Sequence, residues 1–156
     1  MTEFSEEMQL RRHWIGILAR ASEQELEAAW ARLTEKPGYQ FLRAPEPGLA
    51  MVQARMGGTG RPFNLGEMTI TRCTVRTKQG SVGHAYVAGR RPRHAELAAV
   101  FDALLQAGSC RDTLLQTLIR PLREQEEQRR HALGLKTAAT KVDFFTMVRG
   151  HNGDQL

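Results

Sequence analysis

Cysteine is scarce in these 156 residues: Cys73 and Cys110 are the only two. They supply neither a disulfide framework nor metal-ligand spacing, and a reducing compartment suits them. Long apolar runs are missing altogether. No stretch approaches the ~20 residues that a membrane span needs. The opening, Met1 to Glu7, is acidic and polar, without the basic start and apolar stretch of a secretory signal. A cytoplasmic protein with no membrane partner is the expectation. Aromatic residues make up only 6% of the chain and include two tyrosines. The candidate strands therefore lack the stacking rows that read single-stranded nucleic acid. Nucleic-acid binding is not expected, despite a pI near 9.8.

Acidic residues are also scarce in one region. Residues 37–94 carry nine basic groups and two acidic ones, net +7, whereas residues 1–36 are net −2 and residues 95–156 are neutral. The whole chain is +5. A positive field concentrated in the middle third attracts phosphates, nucleic acid or an acidic partner surface. What remains is ordinary: 41% hydrophobic and 25% charged residues describe a soluble globular protein. A chain this long buries a core without help from metals or disulfides.

Hydrophobic spacing predicts the elements. Met8, Leu10, Trp14, Ile17 and Leu18 form one stripe of a helix over 5–20. Ser22 and Glu25 make a capping box, with Leu26, Ala29, Trp30 and Leu33 on the buried face, and Pro37-Gly38 as the stop. Short strands follow at Tyr39–Ala44, Leu49–Met56, Met68–Thr77 and Val82–Ala88. Turns are expected at Pro45–Gly48 and Lys78–Ser81. The apolar phase slips near Thr71-Arg72, where either a β-bulge or a strand buried on both faces would account for it. Pro92 opens a helix whose face is Leu97, Val100, Phe101, Leu104 and Leu105, ending at Gly108. Asp112 or Thr113 starts another, with Leu114, Leu115, Leu118, Ile119 and Leu122 inside. Pro121 must kink that helix or begin a new one. Residues 123–131 read as a solvated helix or spacer. The fold class is α+β: two N-terminal helices, an antiparallel sheet of about four strands, C-terminal helices and an extended apolar tail. Residues 1–136 form the domain and residues 137–156 the tail.

Three groups of residues invite a chemical reading. The glycine-rich run Gln53–Gly60 offers Gly57, Gly58 and Gly60 as a backbone anion nest beside Arg55, or else a plain connection between strands. Arg72, Arg76, Arg90, Arg91 and Arg93 offer the paired donors that suit phosphate oxygens, or else a solvated sheet face or salt bridges to the acidic helices. His94, near a helix N-terminus, is a candidate anion donor or acid–base group. Its surroundings carry too few ligands for a metal. The catalytic residues stay unassigned. In the tail, Val142, Phe144, Phe145, Met147 and Val148 crowd together, with Arg149 after them. They pack on their own domain or dock on a partner.

Several of these blocks resemble one family. Gln53–Gly60, Thr71-Arg72, Val75-Arg76, Gly89-Arg90, His94-Ala95-Glu96 and the run Val142–Gly150 are similar to PhnG, a subunit of the bacterial carbon–phosphorus lyase system. Glu67 departs from the family's shorter aspartate and keeps the carboxylate. The resemblance implies work alongside PhnH-, PhnI- and PhnL-like subunits. Together they form α-D-ribose 1-methylphosphonate 5-triphosphate from ATP and methylphosphonate, with release of adenine. It implies a core complex holding two copies each of PhnG-, PhnH-, PhnI- and PhnJ-like subunits. It places the iron–sulfur cluster and S-adenosylmethionine on the PhnJ-like partner, so this chain binds no cofactor alone, and ATP is a substrate of the complex. It makes this chain a transferase subunit inactive by itself. Arg55, Gly57, Gly58, Gly60, Arg72, Arg76, Arg90 and His94 are then the candidate anion contacts, and 142–149 the partner contact. The alternative is a purely architectural subunit that organises a PhnI-like partner.

Overall fold

The computed structural model describes residues 5–140. The Ser5 hydroxyl accepts from the Met8 N–H, and Glu6 and Glu7 complement the dipole of helix α1 (Glu6–Arg20). Only Trp14, Ile17 and Leu18 of its stripe are buried, whereas Met8 and Leu10 face outward. Helix α2 (Glu23–Arg32) starts with the predicted box. The Ser22 hydroxyl takes the Glu25 N–H at 3.2 Å, and the Glu25 carboxylate takes the Ser22 N–H at 2.7 Å. The Glu25 carboxylate is also bonded by the Ser22 hydroxyl and sits beside Arg129. Partial burial opposes ionisation, yet these donors hold its pKa below the ordinary value.

The sheet is simpler than predicted. It has three antiparallel strands, β1 (Tyr39–Arg55), β2 (Pro62–Thr77) and β3 (Val82–Ala88), in the order β1-β2-β3. No turn forms at Pro45–Gly48, so the two expected N-terminal strands are one. Pro45 and Pro47 are tolerated because β1 is an edge strand. The ladder also slips there, passing from the pair Arg43↔Thr74 to Glu46↔Arg72. The bulge considered at Thr71-Arg72 does not form in β2; the extra residue of this slip lies in β1, opposite that pair. Strand β2 runs without interruption from Ile70 to Arg76 against β3. Thr71, Cys73, Val75 and Thr77 share the buried face, and Met68 and Ile70 simply point the other way.

Helix α3 (Pro92–Gln106) lies across the buried face of the sheet, and α1 packs on α3 and β3. Its predicted apolar face is buried throughout, and Ala95, Ala98, Ala99 and Ala103 are buried too. Small residues let the sheet approach closely. A Cβ on Gly83 would overlap the Ala99 carbonyl oxygen and stand 2.6 Å from the Ala103 nitrogen. Each large side chain in this core, such as Trp14, Phe101 or Leu97, contributes about 1.5–3 kcal/mol by leaving water.

Beyond α3, the chain turns at Ala107. Helix α4 (Gly108–Leu114) begins at the glycine expected only to end its predecessor. A π-type turn, Leu115–Ile119, precedes helix α5 (Arg120–Ala139), and Pro121 sits in the first turn of α5. Proline lacks the N–H that an unbroken helix would need there, and a widened turn is a common accommodation. Residues 123–131 belong to α5 and are largely exposed, as the solvated-helix reading expects. The apolar cluster at 142–149 lies outside the described residues.

Candidate functional site

The predicted anion contacts do not converge. They occupy four places in the fold. Arg55, Gly57, Gly58 and Gly60 lie at the tip of the β1–β2 hairpin. Gly57 and Gly58 have φ of 59° and 84°, which L side chains rarely adopt. A Cβ on Gly60 would stand 2.5 Å from the Met56 carbonyl oxygen. Arg55 Nη1 donates back to the Gly60 carbonyl at 3.3 Å. The turn itself therefore accounts for every glycine in the run.

Arg72 faces Glu46, nine residues along β1 from Arg55, which at ~3.3 Å per residue puts it about 30 Å from the tip. It lies flat over Gly48, whose missing side chain leaves room for the guanidinium. Its Nη2 pairs with Glu46 Oε1 at 3.2 Å, and Arg43 Nε approaches the same oxygen at 3.6 Å. Two arginines thus share one carboxylate. Arg72 Nε is buried without an acceptor. Arg76 lies further along the same outer face of the sheet and is exposed. Arg76 and Arg90 have no ion pair among the described residues.

Arg90 rides on the corner between β3 and α3. Thr71 pins that corner: its hydroxyl donates to the Gly89 carbonyl at 2.6 Å and accepts the Arg91 N–H at 2.9 Å. Gly89 makes the bend with φ of 84°, and its own N–H reaches the Thr69 carbonyl. The Thr71-Arg72 pair therefore divides its work, one side chain holding a loop and the other spanning the sheet.

His94 corrects the sequence reading. It is fully buried, and Nε2 lies 2.9 Å from the Leu18 carbonyl oxygen. A carbonyl only accepts, so Nε2 carries the proton and ties α3 to α1. Nδ1 is buried without a partner. A ring so enclosed does not meet a solvent-borne anion. The helix period alone could not show this, because the first turn of a helix is exposed or buried by what packs against it.

Two polar clusters were not assembled from the sequence, although a salt bridge from Arg93 to an acidic helix was one of its expectations. Asp102, buried in α3, accepts from Arg11 Nε and Nη2 at 3.2 and 2.8 Å, from Trp14 Nε1 at 2.8 Å and from the His84 N–H at 2.9 Å. It joins α1, α3 and β3. The second cluster is Tyr39, Glu96, Arg93 and Glu27. Tyr39 donates its hydroxyl to Glu96, and burial together with that carboxylate pushes its pKa up to about 12. Arg93 bridges Glu27 at 2.7 Å and Glu96 at 3.1 Å, which raises its pKa further. Both clusters are saturated with partners, as structural networks are. Cys73 behaves as a core residue, its thiol pushed up to about 11 first by burial and then by Glu96. A cleft of about 520 Å³ runs between the end of α2 and the α4 segment, lined by Leu33, Cys110, Leu114 and Leu118 among others. It contains none of the predicted contacts. Among the described residues no group of three side chains could hold a metal, and no helix is long and apolar enough to cross a membrane.

Comparison with known proteins decides what this scaffold belongs to. The sequence model of the family described as "Phosphonate metabolism protein PhnG" matches residues 9–150. A Rhizobium meliloti (strain 1021) protein, alpha-D-ribose 1-methylphosphonate 5-triphosphate synthase subunit PhnG, is 44% identical over 144 residues. That covers 91% of this chain and 90% of the relative. The chain belongs to the PhnG family. The match takes in the hairpin, the Gly89–Arg91 corner and α5 together, so these surfaces are all part of the PhnG body and none is an appendage to it.

Proposed function

We propose that this chain is a subunit of an α-D-ribose 1-methylphosphonate 5-triphosphate synthase, the enzyme for which its Rhizobium meliloti relative is named. It acts with PhnH-, PhnI- and PhnL-like subunits on ATP and methylphosphonate. A phosphonate oxygen bonds to C1 of the ribose, the bond from C1 to adenine breaks, and adenine leaves with a proton. The chain also joins PhnH-, PhnI- and PhnJ-like subunits, two copies of each, in a core complex. The iron–sulfur cluster and S-adenosylmethionine reside on the PhnJ-like partner. The observation that carries this reading is 44% identity sustained over nine-tenths of both chains.

The physical features agree with an accessory role. The reaction needs charge neutralisation, orientation and dryness around a triphosphate. This chain offers cations in excess over its middle third, with Arg72, Arg76 and Arg90 exposed or half-exposed. Reconstitution tests the proposal: adenine release from ATP and methylphosphonate is followed with and without this chain. Loss of release on omission is expected, as is reduced turnover in an Arg72→Ala, Arg90→Ala variant that still assembles. Release at an undiminished rate without the chain overturns the reading. Normal kinetics in the double variant favour the purely architectural alternative.

A further inference from the structure

Between Gly48 and Met68 the two paired strands form an arm that nothing in the described chain supports. Every residue from Arg61 to Met68 is exposed. Leu49, Met51, Met56, Phe63, Leu65 and Met68 are all large, apolar and exposed, with Leu49, Met56 and Leu65 more than 60% accessible. A lone two-stranded hairpin is marginal in water. Solvated hairpins keep one apolar face for a core, but this one is apolar on both. Leu49 and Met51 fall on the face that continues from buried Thr71, by way of the pairs Leu49↔Thr69 and Pro47↔Thr71. Met68, opposite Ala50, falls on the other. Leu65 is the extra residue where the register passes from Val52↔Gly66 to Gln53↔Asn64, and such a bulge twists a ribbon and re-aims side chains. A ribbon that is apolar on both faces is made to be enclosed.

We propose that this arm anchors the chain by inserting into an apolar slot of a different subunit, with its tip meeting acidic side chains of that subunit at the closed end. The inference rests on the synthase reading above. Charge identifies the occupant. From Gly48 to Met68 the only charged residues are Arg55, Arg61 and Glu67, and both arginines flank the tip. A slot that accepts the shaft is uncharged, and one that accepts the tip is negative. A second copy of this chain does not fit. Its open sheet face carries Arg43, Arg72 and Arg76 against the single carboxylate of Glu46, so it repels a basic tip. The unguarded outer edge of β1 adds a row of backbone donors and acceptors that a slot wall can pair.

The test uses the full chain co-expressed with its PhnH-, PhnI- and PhnJ-like neighbours. Hydrogen exchange over residues 48–55 and 62–68 is expected to be fast in the chain alone and strongly slowed in the assembled complex. A Leu49→Ser, Leu65→Ser variant is expected to keep the thermal midpoint of the free chain, because both side chains are already in water. It is expected to weaken assembly at least about a hundredfold, the loss of two buried leucines. Arg55→Glu with Arg61→Glu is expected to weaken assembly at least about tenfold, an effect that shrinks in high salt. Unchanged exchange in the complex, or normal assembly of the leucine variant, overturns the proposal while leaving the synthase reading intact. Concentration-dependent protection of the arm in the isolated chain makes the occupant a second copy and overturns it too. Failure of the wild-type chain to join any of these neighbours overturns the synthase reading, and the arm proposal with it.

Discussion

Replacing Asp102 by asparagine tests the central packing argument with almost no change in volume. Oδ1 of Asp102 receives Arg11 Nε and Trp14 Nε1, and Oδ2 receives Arg11 Nη2 and the His84 N–H. An asparagine keeps one acceptor oxygen. Whichever way the amide is turned, its NH2 faces two donors. Each stranded donor costs about 1–3 kcal/mol, and breaking a buried charge pair costs about 3–5 kcal/mol. Arg11 is one-third exposed and regains water, which pulls the total toward the lower end. The expected loss is about 3 kcal/mol. At 2–4 °C per kcal/mol for a chain of this size, the midpoint falls by about 6–12 °C. Urea unfolding followed by far-ultraviolet circular dichroism measures it, since Trp14 fluorescence would itself respond to the lost hydrogen bond. A loss below about 1 kcal/mol refutes the claim that this carboxylate joins α1, α3 and β3.

Other expectations follow from single contacts. Gly83→Ala pushes a methyl group into the backbone of α3. Backbone cannot rotate away, so a loss of about 3 kcal/mol, the top of the usual overpacking range, is expected in the same unfolding assay. Exposed Cys110 reacts at once with a thiol reagent, whereas buried Cys73, its thiol raised to about 11, reacts only as the chain unfolds. One fast equivalent and one slow one are expected by absorbance. Glu25 has a lowered pKa in the folded chain, so its stabilisation is complete above the ordinary carboxylate range and fades as pH falls through the folded value. Comparing Glu25→Gln with the wild-type chain at neutral pH and near pH 3 checks this, and the gap in stability is expected to shrink at the acid end. Tyr39 has a raised pKa near 12, so its contribution is present below about pH 10 and lost toward pH 12. Tyr39→Phe removes the late step from an ultraviolet titration of the tyrosinates.

Local rules served the helices well. The Ser22–Glu25 box formed because both partners lie within one turn, and the apolar face of α3 was buried as its spacing predicts, although the structure encloses the other sides of that helix from Leu97 to Leu105 as well. The same rules misjudged the segment Pro45–Gly48. Prolines and a glycine there resemble a turn, but an edge strand tolerates proline, and Gly48 exists to seat Arg72. The irregularity read at Thr71-Arg72 was plain alternation between two faces, and the real bulge lay in the paired strand, which no single-strand pattern reveals. The family resemblance was carried by blocks spread from Gln53 to Gly150 and was matched by the comparison over residues 9–150.

By itself the sequence determined what depends on neighbours along the chain: the helix starts, the strand alternation, the basic middle third and the family. Tertiary structure decided what depends on residues far apart in sequence. It buried His94 beneath the Leu18 carbonyl and gathered Arg11, Trp14 and His84 around Asp102. It also separated Arg55 from Arg72 by the length of an extended arm. The physical reason is range. Periodicity and capping act within a few residues, whereas burial and charge pairing are set by contacts that only the folded backbone brings together.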